Sequence, residues 1–216
     1  MTHALASTRR ALHAVAEHVL AADLHRHTGK IGLRPTPGGF GTPAFMVDGA
    51  TRQLRVDGTD LVLLHGDERR SAPLTTLRAA GDLVGTEPGG PADVYTLQTE
   101  LSPDAALVVD APAARLIADW FALAADAFSA FAPDTPAQLW PEHFDLAISV
   151  REANFGGSPG DAEHPEPYLY VGPWSPRTGP FWNEQFGASM PWREDLNSDD
   201  AVAFFERGQA EMTRNE

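Results

Sequence analysis

Apolar residues recur along this chain at two spacings, and the changes of spacing mark its elements. Leu12, Val15, Val19 and Leu20 follow three- and four-residue intervals, leaving Arg9, Arg10, Glu17 and His18 for the opposite surface. That pattern predicts a helix from about Ser7 to Arg26, ended by the glycine stop of Thr28-Gly29. Extended segments follow at Lys30–Arg34, Ala44–Val47, Arg52–Val56 and Leu61–His65, separated by the Pro/Gly turn of 35–41 and by Asp57-Gly58. Short strands joined by tight turns favour antiparallel pairing. Thr75 to Val84 reads as a short helix closed by Gly85, and 86–103 as a polar Gly/Pro-rich connection. Ala106–Val109 reads as a strand. Asp110 then caps the clearest helix, whose stripe of Leu116, Ile117, Trp120, Phe121, Ala124 and Phe128 stops near Phe131. Phe144, Leu146, Ile148 and Val150 alternate with Asp145 and Ser149, Tyr168–Val171 is an aromatic strand, and Ser198 or Asp199 caps a last helix.

These elements specify an α+β fold. It is a mostly antiparallel sheet flanked by the Asp110–Phe131 and N-terminal helices, with a long ordered aromatic region rich in Gly and Pro. The chain reads as a single domain, 1–216, with sub-lobes 1–85 (helix plus meander) and 104–216 (helix plus aromatic strands and loops). Trp140 to Trp192 holds four of the five tryptophans and two of the three tyrosines. Such apolar area offsets the entropy of ordering, so the segment is expected to be a fixed loop system that walls a pocket or an interface.

Composition narrows the function classes. A net charge of -14 argues against nucleic acid or an anionic membrane as partner. The absence of cysteine excludes disulfides, thiolate metal sites and thiol nucleophiles, and fits a cytoplasmic protein. The N-terminal residues lack a continuous apolar core, and no later run reaches the ~20 residues of a membrane span.

Gly156-Gly-Ser-Pro-Gly160 matches the G-x-S-x-G of a hydrolase elbow, but Pro159 removes the N–H that elbow needs, and no helical pattern follows. His13, Glu17 and His18 are spaced one residue away from a helical zinc motif, and a surface His/Glu pair is the simpler reading. His143 and Asp145, two apart, would share a strand face, and with Glu166 they form the candidate acid–base group, His143 titrating nearest neutrality. Tyr168, Tyr170, Trp174 and Trp182 are the candidate ligand-binding side chains. His143, Asp161 and His164 are weak metal candidates without compact ligand spacing.

The segments Thr28–Arg34, Leu139-Trp-Pro-Glu-His-Phe-Asp-Leu-Ala147, His164-Pro-Glu-Pro-Tyr-Leu-Tyr-Val-Gly-Pro-Trp174, Phe181–Glu184 and Phe186–Ser189 resemble an uncharacterised, mainly actinobacterial protein family. The likeness runs from the first strand to Trp192 and extends, more loosely, to a wider domain-of-unknown-function family with the Phe-Asp-Leu-Ala signature. It implies no reaction, cofactor or site residues. A weaker similarity joins the strand meander to the C-terminal lobe of thiol-dependent isomerases of the maleylpyruvate type. The function expected is small-molecule binding under the 154–192 loops, with possible turnover. The alternatives are a metal-dependent hydrolase using His143, Asp145 and His164, or an interaction scaffold. Cofactor and oligomeric state are open.

Overall fold

The computed structural model describes residues 2–214 and shows an α+β protein built on two antiparallel sheets. The chain divides into two compact units. The first is Met1–Asp119 with Leu139–Phe144, and the second is Trp120–Gln138 with Asp145–Glu216.

In the first unit the N-terminal helix is longer than its apolar stripe predicts. It comprises α1 (Thr2–Val15), a wide π turn over Ala16–Ala21, and α2 (Ala22–Thr28). Leu12, Val15, Val19, Leu20 and Leu24 are buried, and Gly29 ends the helix in the left-handed conformation at φ 70°. The first sheet contains β1 (Arg34–Thr36), β2 (Gly39–Gly41), β3 (Phe45–Val47), β4 (Ala50–Asp57), β5 (Asp60–His65) and β6 (Glu68–Pro73). Its order is β1-β2-β4-β5-β6, with β3 also paired to β4. Leu54 lies opposite Leu63 and Val56 opposite Leu61, so these two pairs make an apolar, buried patch on one face of the central hairpin, with Arg52 next along the same face.

The predicted strand at Lys30–Arg34 is displaced: only Arg34 is in a strand, and the supposed Pro/Gly turn of 35–41 holds the rest of the β1–β2 hairpin. β6, with the sequence ERRSAP, has no apolar alternation to announce it. α3 (Leu77–Val84) starts at Thr76, whose hydroxyl accepts from Ala79 N at 3.0 Å. Ala106–Val109 is not a strand. Leu107 N donates once, to Thr75 O, and Val108 is exposed, so no ladder forms.

A buried ion pair crosses this unit. The Arg52 guanidinium grips Asp23 through two hydrogen bonds of 2.9 Å and donates to Val84 O, while the Thr86 hydroxyl donates to the same carboxylate. Asp23 is fully buried. An unpaired carboxylate there would be strongly unfavourable, and this one is saturated with donors.

α4 (Ala111–Phe131) begins as predicted, with Asp110 Oδ1 accepting from Ala113 N at 3.0 Å. The second sheet runs β11-β10-β9-β8-β7, from β7 (Gln138–Trp140), β8 (Asp145–Val150), β9 (Ala153–Ser158), β10 (Tyr168–Pro173) and β11 (Ala188–Pro191). α5 (Ser198–Thr213) is capped by Asn197, one residue before the predicted position, in a reciprocal box with Asp200.

Register separates the two faces of this sheet. Leu146, Ile148, Phe155, Leu169 and Val171 share one face and are buried. Phe155, Phe128, Phe131 and Phe205 form the aromatic core beneath, with ring centroids 4.8–5.8 Å apart. The alternate positions Asp145, Ala147, Gly156, Ser158, Tyr168, Tyr170 and Ser189 therefore fall on the opposite, polar face. Among the described residues, no helix is long and apolar enough to cross a membrane.

Candidate functional site

The polar face of the second sheet gathers most of the candidate residues. Gly156 is the reason that it can. A side chain there would place a Cβ 2.1–2.4 Å from Cζ, Cε1 and Oη of Tyr170, so the bare strand lets the ring lie across it. Laid over Gly156, the Tyr170 hydroxyl reaches Asp145 Oδ2 and donates a hydrogen bond. Burial, reinforced by the Asp145 carboxylate, holds the Tyr170 phenol well above its ordinary range, so it is a proton donor at every physiological pH. The Gly-Gly of the apparent elbow motif thus serves close packing. Ser158 is buried and exchanges hydrogen bonds with Gly160, and no helix follows it.

Tyr168, two residues earlier on β10, donates to Asp161 Oδ2 at 2.7 Å, and burial again raises its phenol. Asp161 Oδ1 accepts the backbone N–H groups of Glu163 and His164 at 2.8 and 2.7 Å, which closes a tight loop over the sheet. Burial acts to raise the Asp161 carboxyl. The Tyr168 hydroxyl and those two amides outweigh it and hold the group below its ordinary value.

The loop delivers His164 to a second carboxylate. His164 Nε2 donates to Glu184 Oε1 at 3.0 Å, and Ser189 Oγ donates to the same oxygen at 2.8 Å. The Ser189 hydroxyl, followed by His164, keeps the half-buried Glu184 carboxyl below its usual range. With Nε2–H committed to Glu184, Nδ1 is the ring nitrogen left to exchange a proton, 3.7 Å from Asp161 Oδ1. Phe186 is 42% exposed, and its ring centroid lies 6.2–6.4 Å from those of His164, Tyr168 and Tyr170.

Not every predicted residue joins this group. Phe144 is left-handed at φ 52°, so His143 lies in the turn before β8 rather than two along one strand face from Asp145. His143 is exposed and belongs to the first unit, whereas Asp145 is buried and belongs to the second. Glu166 is exposed on the loop. Trp174 is 64% exposed, with its indole N–H 3.3 Å from Asn154 Oδ1, and Trp182 packs edge-on against Phe181 at 4.9 Å. Glu184 and Ser189 are absent from the sequence-based candidates, and their one signal is the pair of resemblance segments Phe181–Glu184 and Phe186–Ser189; Phe186 carries the further signal of an aromatic residue in a Gly/Pro-rich stretch suited to a pocket wall. Among the described residues, no three of His, Asp and Glu converge as a metal-holding group.

The first unit holds a second polar centre that the helical pattern conceals. Glu17 and His18, expected on a surface, are fully buried inside the π turn. Glu17 accepts from Gln98 N, Thr99 N and the Thr99 hydroxyl at 2.5–3.0 Å, and His18 Nδ1 accepts from Gly90 N at 3.1 Å. The 86–103 connection is strapped down by these bonds. His13 stacks on Phe144 at 5.2 Å and donates to Pro141 O at 2.8 Å; burial lowers its pKa despite nearby Glu17.

No family model, curated protein or solved structure matches this chain.

Proposed function

We propose that this protein binds a small polar molecule at the exposed end of the Tyr168–Asp161–His164–Glu184–Ser189 chain of hydrogen bonds, and that His164 carries the proton in any turnover there. The supporting observation is the placement of His164: its side chain is 27% exposed, between two carboxylates and beside the exposed Phe186 ring. Carboxylates at Asp161 and Glu184 with aromatic neighbours favour a ligand that offers an amine or another hydrogen-bond donor. Tyr170 and Asp145 support the site from beneath by fixing β8 and β10 across Gly156.

A cytoplasmic setting belongs to this proposal, supported by the cysteine-free composition. Membership of the resembled actinobacterial family is likewise proposed, on the 139–147 and 164–174 segments. The test is a screen of small amines and neutral polar metabolites by amide NMR on the wild type, His164→Ala and Glu184→Gln. A hit whose shifts map to β10 and the 161–164 loop, and vanish in both variants while their folds persist, supports the proposal. A hit that binds both variants as it binds the wild type refutes it.

Exposed Trp174 and Phe186 favour one competing reading, an interaction surface. Sedimentation equilibrium decides it: self-association that is lost in Trp174→Ser or Phe186→Ser moves the function to assembly.

A further inference from the structure

The β8–β9 hairpin turns on Arg151 and Glu152, both left-handed, at φ 53° and 60°. Two-residue turns of this hand ordinarily use Asn and Gly, because a Cβ is disfavoured there. Strain of this kind concentrates where a side chain must be aimed. Trp174 N donates to Glu152 O at 2.9 Å and ties the turn to the segment after β10. The Arg151 guanidinium lies 5.8 Å from the Phe131 ring centroid and donates to the Gln209 side-chain oxygen on α5. It is therefore held from two sides, with most of its five donors left over.

Beside it is a cavity of about 100 Å3, lined by Arg151, Glu152, Ser175, Arg177, Gln209 and Thr213 among others. That is roughly the volume of three or four waters at ~30 Å3 each. Arg177 lines this cavity, and its Nε–H is buried and makes no hydrogen bond within the protein. A buried donor without a partner is rare in native proteins and calls for an acceptor. Two guanidiniums against one carboxylate also make this a locally cationic spot in a chain of net charge -14.

We propose that this cavity is a binding site for a small oxyanion, a carboxylate or phosphate group, gripped by Arg151 and Arg177 and hydrogen-bonded by the neighbouring hydroxyls. Planar guanidinium forks match such groups in geometry as well as charge. The site lies entirely within the second unit and is independent of the His164 proposal.

The test is an NMR titration of the arginine Nε–H signals of the full chain with inorganic phosphate, with acetate and with chloride, at constant ionic strength. The expected result is a saturable shift of the Arg177 signal in at least one oxyanion arm and none in chloride. The stronger arm identifies phosphate or carboxylate as the group recognised. Arg151→Met should weaken the binding roughly tenfold or more, followed by isothermal calorimetry, and so should Arg177→Met. Arg177→Lys, keeping charge without the fork, should fall between. No saturation in either arm by roughly 50 mM, an equal response to chloride, or wild-type affinity in the folded Met variants would overturn the proposal. The wild-type titration decides the matter by itself should a variant fail to fold.

Discussion

Replacing Gly156 by alanine tests the packing beneath the His164 site through the sign of its effect. Gly156 lies in β9, without a positive φ, opposite Tyr170 in the register. An alanine in such an extended position is ordinarily more stable than glycine by ~0.5–1 kcal/mol, since it restricts the unfolded chain. Here the new Cβ would sit 2.1 Å from Tyr170 Cζ and 2.4 Å from its hydroxyl oxygen. The obstacle is the body of a ring rather than the end of a flexible chain, so the ring must leave. Overpacking costs about 1–3 kcal/mol, and losing a hydrogen bond to a charged acceptor about 1.5–3. Set against the ordinary gain, Gly156→Ala should destabilise by ~3 kcal/mol. For a chain of this length that lowers the melting temperature by roughly 6–12 °C. Calorimetry and urea titration provide the measurement. Gly156→Ala/Tyr170→Ala supplies the control: with the ring gone the added methyl has room, so the two changes should couple by ~1–3 kcal/mol. A single variant as stable as the wild type, or strictly additive effects in the double, would refute the close approach.

Three further outcomes follow from groups already described. Arg52→Met leaves the Asp23 carboxylate buried without its principal partner and should cost about 3–5 kcal/mol in urea unfolding, whereas Asp23→Leu/Arg52→Met should recover most of it. His13 titrates below its ordinary value in the folded protein, so the unfolded chain binds the extra proton first. Stability should be complete above pH ~6.5 and fall on acidification toward the folded pKa, and His13→Gln should flatten that slope in urea midpoints taken between pH ~4.5 and ~7. An unchanged slope would place the pH dependence elsewhere. Asp161 is depressed, so its contribution is present above pH ~4 and lost as pH falls through its folded value. Tyr168→Phe should raise that carboxyl toward its ordinary value, read by carbon NMR of the side-chain carboxyl, and a titration identical to the wild type would show that Tyr168 does not hold it.

The legible parts of the fold were those whose side chains repeat. The α4 stripe and the apolar rows of β4, β5 and β8 announced themselves because each buries a regular face. β6 offers only Ala72 to such a pattern, and β9 hides its period because the Tyr170 ring stands in for a side chain at Gly156. Aromatic content draws attention to 140–192 as a loop system, yet β9 and β11 lie within it beside the expected strands β8 and β10. At the site, Asp145, Tyr168, Tyr170, Asp161 and His164 were all named from sequence. Glu184 and Ser189 were not, because Glu184 meets His164, twenty residues earlier, only in the folded loops, and Ser189 joins the site through Glu184. Spacing misled at His143, since nothing in the residue type warns of a left-handed Phe144. Glu17 misled for a similar reason. Two of its three hydrogen-bond partners are main-chain amides about eighty positions later, which leave no trace in a sequence, and the third is the Thr99 hydroxyl beside them.

The widened turn at Ala16–Ala21 has an evolutionary corollary. A π turn is how a helix absorbs one extra residue while the stretches before and after it keep their original phase. The flanking apolar rows, Leu12 with Val15 and then Leu24, are both buried, as that account requires. Removing one residue from this turn should therefore leave an ordinary continuous helix with both flanks still docked. What would be lost is the alignment of Glu17 and His18 with the strand of main chain they anchor. Natural relatives one residue shorter here would be expected to lack that acid and imidazole together, and to leave residues 86–103 tethered by other means.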